Sequence, residues 1–200
     1  MLVLDAQRVQ RAFHRLHLPF TFSEQELETL TTTNVVLTDP VLLGFATPRL
    51  NDGINILNLR SLLGVESSRP PSFFDHPWYL DEAFGRTDCP PGWHFIQPDV
   101  DSDSIGQPHN YSYSLISKGL TLPTAIEVVL MLFLYFAETG KQLLTKKHTW
   151  CRDEASLNRF VTVGAFGRNG VFVSSHPGSY TSRGLGICGK LMVSPDEPFR

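Results

Sequence analysis

The chain has 200 residues and a mass of 22.4 kDa, which suffices for one well-packed domain or for two small ones. Its composition, 42% hydrophobic and 18% charged, excludes an intrinsically disordered chain and a coiled coil. The net charge of -3 and the pI near 6.1 argue against a protein that bulk charge draws to nucleic acid. The 15 glycines and 14 prolines indicate a turn-rich protein of mixed α and β structure.

The first helix is predicted to begin after Asp5, which is placed to act as its N-cap. Its apolar positions follow helical spacing: Val9, Ala12, Phe13 and Leu16. The opposite side carries a basic stripe: Arg8, Arg11 and Arg15. This stripe is either a solvated helix face or a contact for nucleic acid or another acidic partner.

A capping box at Ser23–Glu26 predicts a second helix that runs to about Thr31. Residues 35–52 contain Pro40, Gly44 and Pro48, so we expect only a loop and a short strand there. A third helix is predicted over 54–63, where the following glycine ends it. The stretch Ser67–Ser72 resembles a linker, which divides the chain into a helical N-terminal region, 1–70, and a second domain, 71–200.

Aromatic residues are dense after the linker, and we expect most of them to pack in the core. A turn at Pro90–Gly92 precedes a predicted strand at Trp93–Ile96. The best-defined helix follows, opened by a capping box at Thr124 and Glu127 and ended by Gly140. Because it is apolar on all sides, it should be the central buried helix.

The last third of the chain is predicted to form short antiparallel strands, at 159–163, 171–173 and 185–188. Asn169-Gly170 lies between the first two of these runs and is the strongest hairpin signal in the sequence. The expected fold class is therefore α+β, with short antiparallel strands around a buried helix.

The three cysteines are Cys89, Cys151 and Cys188, and their odd number and spacing argue against a disulfide scaffold. We therefore expect reduced thiols. Because no signal peptide is evident at the N-terminus, the expected location is cytoplasmic, and no other residue pattern in the sequence assigns a location. The longest apolar run, 128–137, is much shorter than the roughly 20 residues of a membrane span, so we expect none.

Motifs for phosphate and metal are incomplete, so no cofactor is expected. Residues 184–190 match the glycine spacing of phosphate-binding loops, but too few residues follow to form the helix that such loops need. Asp99, Asp101 and Asp103 match the start of a calcium loop that lacks its glycine and its final glutamate. An acidic surface loop is the main interpretation, and a weak calcium site remains the alternative.

The region 152–183 is rich in Ser, Asn, Tyr, Gly, Arg and His, the residue types that binding loops favour. The candidate contact residues are Arg152, Glu154, Ser156, Asn158, Arg168, Ser174, His176, Ser179, Tyr180 and Ser182. The alternative interpretation is that these residues form an ordinary polar loop surface with no binding role. A catalytic alternative is a small hydrolase that uses Cys151 with His148 or His176 as the base.

Three segments near the C-terminus, Phe160–Phe166, Gly170–Val173 and Leu185–Cys188, combine with upstream His76–Phe84, Gly92-Trp93 and Thr139–Leu144 in a recognisable pattern. Over roughly residues 73–190, this pattern resembles the variable proteins encoded beside diversity-generating retroelements. Two places depart from the family pattern. Ser174-Ser175-His176 stands where an aromatic residue is expected, and Gly189-Lys190 stands where a serine-arginine pair is more usual.

This resemblance implies a C-type-lectin-like fold in the C-terminal region. It also implies a stable scaffold whose loop residues are diversified by adenine-directed mutagenesis, which suits the candidate contact residues. The function expected from it is non-enzymatic binding of a protein or glycan partner.

Overall fold

The structure is a computed structural model that describes residues 2–32, 42–66 and 69–192. The described residues form a mixed α+β fold of five α-helices and two mixed β-sheets. The helices are α1 (Ala6–Arg15), α2 (Glu24–Thr32), α3 (Ile56–Leu63), α4 (Tyr113–Ile116) and α5 (Ala125–Thr139). The strands are β1 (Leu2–Leu4), β2 (Leu43–Thr47), β3 (Gly92–Ile96), β4 (Leu120–Thr121), β5 (His148–Ala155), β6 (Arg159–Gly167), β7 (Gly170–Pro177), β8 (Leu185–Gly186) and β9 (Lys190–Leu191).

The first sheet has the order β1-β2-β3-β9-β4 and joins distant parts of the chain. Strand β1 is parallel to β2, and β2 is antiparallel to β3 from Leu43↔Ile96 to Thr47↔Gly92. Because β2 precedes residue 70 and β3 follows it, the predicted domain boundary falls inside one hydrogen-bonded sheet. The predicted linker Ser67–Ser72 lies partly outside the described residues, as do residues 35–41 of the predicted loop.

The second sheet has the order β7-β6-β5-β8, and its β6–β7 hairpin confirms the turn signal at Asn169-Gly170. Gly170 has a φ of +101°, and a Cβ there would lie 2.5 Å from the carbonyl carbon of Phe73. This close approach lets Ser72–Phe74 lie along the outer edge of β7. Phe74 N–H donates to the Val171 carbonyl, and Val171 N–H donates to the Ser72 carbonyl, both at 2.9 Å.

The helical predictions are confirmed with small shifts in their ends. Asp5 accepts a hydrogen bond from the Arg8 N–H at 2.8 Å and caps α1. Helix α3 begins two residues later than expected, because the Asn55 side chain caps it by accepting from the Asn58 N–H at 2.9 Å. Helix α5 has the expected capping box and ends at Gly140 in the left-handed conformation.

The basic stripe on α1 is largely used inside the protein. Arg8 Nη2 lies 2.7 Å from Glu138 Oε1, and Arg15 Nη1 lies 3.1 Å from Glu138 Oε2. Glu138 belongs to the last turn of α5, so these ion pairs join the two helices. Two of the three arginines therefore already have an acidic partner, and this removes support from a nucleic-acid contact on this face.

Helix α5 is the central buried element, as the sequence predicts. Its first ten residues are all buried, and Phe133 packs edge-on against Phe73 and at a tilt against Phe166 of β6. The side chain of Glu127 is 1% exposed and accepts hydrogen bonds from the Thr124 N–H at 2.8 Å and from Lys190 Nζ at 2.6 Å.

The Glu127 carboxylate also lies 3.2 Å from Nδ1 of the buried His94 on β3. Burial by itself would raise the pKa of Glu127, but the hydrogen bonds and charges of His94 and Lys190 lower it to about 2. Since His94 and Lys190 belong to neighbouring strands of the first sheet, one carboxylate ties α5 to β3 and β9.

We predict that the ionised Glu127 stabilises the fold above about pH 4.5 and that this contribution is lost as the pH falls toward 2, since the folded-state pKa is depressed. The shift corresponds to about 3 kcal/mol in the free energy of unfolding. Denaturant unfolding between pH 7 and pH 2.5 would show that the free energy of unfolding falls more steeply with pH for the native chain than for Glu127→Gln. Parallel curves for the two proteins would contradict the prediction.

Candidate ligand-binding surface

The candidate contact residues lie on the second sheet and in the loops that follow its strands. Ala155 pairs with Arg159, and Arg159 pairs with Pro177, so the β5–β6 turn and the loop after β7 leave the sheet at the same end. This places eight candidates at or near one end: Arg152, Glu154, Ser156, Asn158, Ser174, His176, Ser179 and Tyr180.

Two candidates lie elsewhere. Arg168 occupies the β6–β7 turn, nine residues along the hairpin from Arg159, which separates it from the other end by roughly 30 Å. The carbonyl of Ser182 accepts from the Leu185 N–H at 3.0 Å, and Leu185 pairs with His148 at the start of β5. The structure therefore does not bring Arg168 and Ser182 to the main group.

A cavity of about 570 Å³, here called the loop cavity, opens at the end of the sheet. Arg152, Glu154 and Ser179 contribute three of the predicted contact residues to its lining. The remaining lining residues are Pro108, His109, Asn110, Tyr113, Phe160 and Gly178. The segment 108–113 was missed by the sequence analysis, because its approach to β5 and β6 is a contact between residues distant in the chain.

The wall of the loop cavity contains a stack of two rings. The rings of His109 and Phe160 are nearly parallel, with centroids 3.6 Å apart, and Trp150 meets His109 edge-on at 5.4 Å. His109 Nε2 lies 3.2 Å from the Cys151 carbonyl, so this nitrogen is the donor. Burial lowers the pKa of His109 more than the Cys151 carbonyl and Glu154 raise it, which favours a neutral ring.

The rim of the loop cavity carries charges of both signs on a fixed backbone. Arg152 and Glu154 are exposed, and Tyr113 is 75% exposed. The Arg152 N–H donates to the Pro123 carbonyl at 3.0 Å, and Asp153 Oδ2 accepts from the Ala125 N–H at 2.6 Å. These bonds attach the rim to the start of α5, so the cavity presents polar and aromatic groups from a rigid support.

A second cavity of about 320 Å³, here called the edge cavity, lies beside β7, the outer strand of the sheet. It is lined by His76, Trp78, Glu82, Ser156, Leu157, Arg159, Ser174 and Ser175. At the end of β7, His176 stacks on Tyr180 of the following loop with ring centroids 4.2 Å apart. Burial and the charge of Arg159 lower the pKa of His176.

The turn between β5 and β6 has an unusual conformation. Leu157 (φ +62°, ψ +33°) and Asn158 (φ +54°) both lie in the left-handed region, which suits asparagine but strains leucine. The Leu157 side chain is also 89% exposed, so it gains little packing in exchange. The turn is held by the Ser156 N–H, which donates to Glu82 Oε2 at 3.0 Å. The turn contains no glycine, and the sequence analysis did not predict it.

The geometry does not support the hydrolase alternative. Cys151 is fully buried in the core, and burial raises the pKa of its thiol well above the usual value. His148 contacts Phe172, and burial together with the charge of His176 lowers the pKa of His148 to about 4. Within the described residues, no hydrogen bond joins the Cys151 thiol to an imidazole.

The incomplete phosphate and calcium motifs have other partners. The amine of Lys190 binds Glu127, and β9 rather than a helix follows the glycines. Asp99 pairs with Lys147 at 2.7 Å, and Asp101 pairs with Lys118 at 3.1 Å. Over residues 2–32, 42–66 and 69–192, no group of three or more His, Cys, Asp or Glu side chains is arranged to hold a metal ion.

Comparison with known proteins gives no relative from which a function could be transferred. No protein-family model, curated protein or solved structure matches the chain. In the part of the chain that the structure describes, no helix is long and apolar enough to cross a bilayer.

We predict that Leu157→Asn raises the free energy of unfolding by about 1 kcal/mol, because asparagine tolerates the left-handed conformation better than leucine. The control is Leu157→Ala, which removes the exposed side chain but keeps a Cβ in the same strained backbone. Its stability should stay within about 0.5 kcal/mol of the native value. Denaturant unfolding measures both variants, and equal stability of the Leu157→Asn and Leu157→Ala proteins would contradict the proposed strain.

Proposed function

We propose that the chain is a non-enzymatic binding protein that presents the end of its second sheet to a protein or glycan partner. The observation that carries this proposal is that eight candidate contact residues lie at or near one end of the second sheet. Five of them line the two cavities: Arg152, Glu154 and Ser179 the loop cavity, and Ser156 and Ser174 the edge cavity. The eight side chains are mostly small, polar or aromatic. Such side chains provide adaptable hydrogen bonds and contact area at low entropic cost.

The separation between support and surface favours a display role. Val161 and Val163 of β6 and Val173 of β7 are buried, with at most 1% of each residue exposed. The candidate residues at the end of the sheet are exposed or partly exposed, and the first residue of α5 donates to Asp153, which lies between the candidates Arg152 and Glu154. Side chains at this end can therefore change with little effect on the core.

The finer proposal is a C-type-lectin-like C-terminal region of the kind encoded beside diversity-generating retroelements. Three features support it: the antiparallel β5, β6 and β7, their packing on a buried helix, and loops that leave the sheet at one end. The segment Phe160–Phe166 is one of those that carry the resemblance, and its buried residues belong to the core that supports the loops. The cytoplasmic location stays a prediction.

The test is a library in which six exposed or partly exposed candidates are randomised together: Arg152, Glu154, Ser156, Asn158, Ser179 and Tyr180. A display scaffold predicts that most variants keep a thermal midpoint within a few degrees of the native chain. It also predicts that selection against a monomeric target protein such as lysozyme yields specific binders.

The matched control is a library of equal size at exposed positions of the opposite end, centred on Arg168. It should yield folded variants but few binders, because no residue of this turn lines the loop cavity or the edge cavity. General unfolding of the first library, or equal yields of binders from both, would contradict the proposed function.

A further inference from the structure

Exposed cations lie together at the end of the second sheet that is opposite the main group of candidate contact residues. Three loops carry them: the loop from α5 to β5, the β6–β7 turn and the loop that precedes β8. The cations, here called the basic end, are Lys141, Lys146, Arg168 and Arg183. The β6–β7 hairpin separates them from the β5–β6 turn by roughly 30 Å.

Hydrogen bonds hold the three loops of the basic end side by side. Gln142 Nε2 donates to the Gly167 carbonyl at 3.0 Å, which joins the first loop to the β6–β7 turn. The His148 N–H donates to the Gly184 carbonyl at 2.7 Å, which joins the start of β5 to the loop that carries Arg183. Because neighbouring strands are roughly 5 Å apart, the basic end covers a surface on the order of 20 Å across. One partner can therefore meet all of its charges together.

The positive charge of the basic end is not compensated by ion pairs. In the part of the chain that the structure describes, none of its side chains pairs with a carboxylate. The neighbouring acidic loop has cations of its own: Asp99 pairs with Lys147 at 2.7 Å, and Asp101 pairs with Lys118 at 3.1 Å. In the last turn of α5, Glu138 has two arginine partners, so that group also keeps an excess positive charge.

The net charge of the chain does not prevent attraction at this end. Although the whole chain carries a net charge of -3, salt screens exposed charges that are more than about 10 Å apart. A partner at the basic end therefore responds mainly to the local cations, and the carboxylates at the far end of the sheet contribute little.

The composition of these loops favours a flat anionic partner. Residues 141–147, 167–170 and 181–184 include no aromatic residue on which a nucleic-acid base could stack. They also carry no large apolar side chain that is exposed, so they have nothing to insert into hydrocarbon. Since the loops leave one end of a sheet, their tips can approach one plane together. The headgroups of anionic phospholipids form such a plane and attract clustered lysine and arginine.

We propose that the basic end binds the surface of a membrane that contains anionic phospholipids, by charge and without insertion. The ammonium and guanidinium groups would donate hydrogen bonds to the lipid phosphates. The β6–β7 hairpin would then hold the candidate contact residues roughly 30 Å from the lipid. This interaction goes beyond the proposed function, because it assigns a partner to the opposite end of the sheet.

The experiment is sedimentation of the full chain with vesicles of phosphatidylcholine alone, or with about one third phosphatidylglycerol. The chain should sediment with the anionic vesicles at low salt and be released as the salt concentration rises. Lys146→Gln and Arg168→Gln should each weaken this binding about 5-fold, and the two together about 25-fold. Both residues are exposed in loops, so the variants should remain folded.

The matched control is Arg86→Gln, which removes one exposed cation from the segment whose Glu82 holds the β5–β6 turn. It should leave vesicle binding unchanged. The proposal would be overturned by equal sedimentation with neutral and anionic vesicles, by no sedimentation with either, or by equal binding of the control and both basic-end variants. Displacement of the chain from the vesicles by a DNA duplex at the same phosphate concentration would also overturn it and would assign the site to nucleic acid.

The library test of the proposed function contains no lipid, and the vesicle test needs no protein or glycan partner. Failure of one is therefore distinguishable from failure of the other.

Discussion

The buried carboxylate of Glu127 is the contact on which the architecture depends. It closes the capping box of α5 and binds Lys190 of β9 while facing His94 of β3. An unpaired charge at this depth would be strongly unfavourable, so the position of the helix end and of both strands is specified together. The apolar remainder of α5 then packs against the second sheet through Phe133 and Phe166.

The same helix also supports the candidate surface. The N–H of Ala125, the first residue of α5, donates to Asp153, and the Pro123 carbonyl just upstream of the helix accepts from the Arg152 N–H. These two hydrogen bonds fix β5 where the rim of the loop cavity begins. The edge of β7 is covered in part by Ser72–Phe74 and capped by Trp78, so the cavity beside it has firm walls. The turn at Leu157 departs from relaxed geometry, and Leu157 contributes to the lining of the edge cavity.

Local signals were sufficient to predict α1, α2 and α5 and the β6–β7 hairpin. In each case the decisive residues are close in sequence: Asp5 with Arg8, Ser23 with Glu26, Thr124 with Glu127, and Asn169 with Gly170. The first sheet could not be predicted in this way. Its strands are short, and the pairing of β2 with β3 joins residues about fifty positions apart. A boundary placed at residue 70 from composition alone therefore falls within a sheet.

The same limit applies to the candidate surface. Residue types in 152–183 predicted a binding region, but the register of β6 and β7 decides that Arg168 lies at the far end from Arg159. His109 and Tyr113 join the loop cavity only through the path of the chain between β3 and α5. Leu157 carries no turn signal, and His76 was part of a scaffold pattern rather than a candidate contact.

The central claim is a diversified binding surface on a constant scaffold, and the most direct measurement is the DNA sequence on both sides of the gene. The account predicts a nearby reverse transcriptase gene and a near-identical repeat of the 3′ coding region that differs at adenines. Those differences should fall on codons for exposed residues such as Arg152, Glu154 and Tyr180. A gene without such a repeat, or differences concentrated at the buried Val161 and Val163, would contradict it.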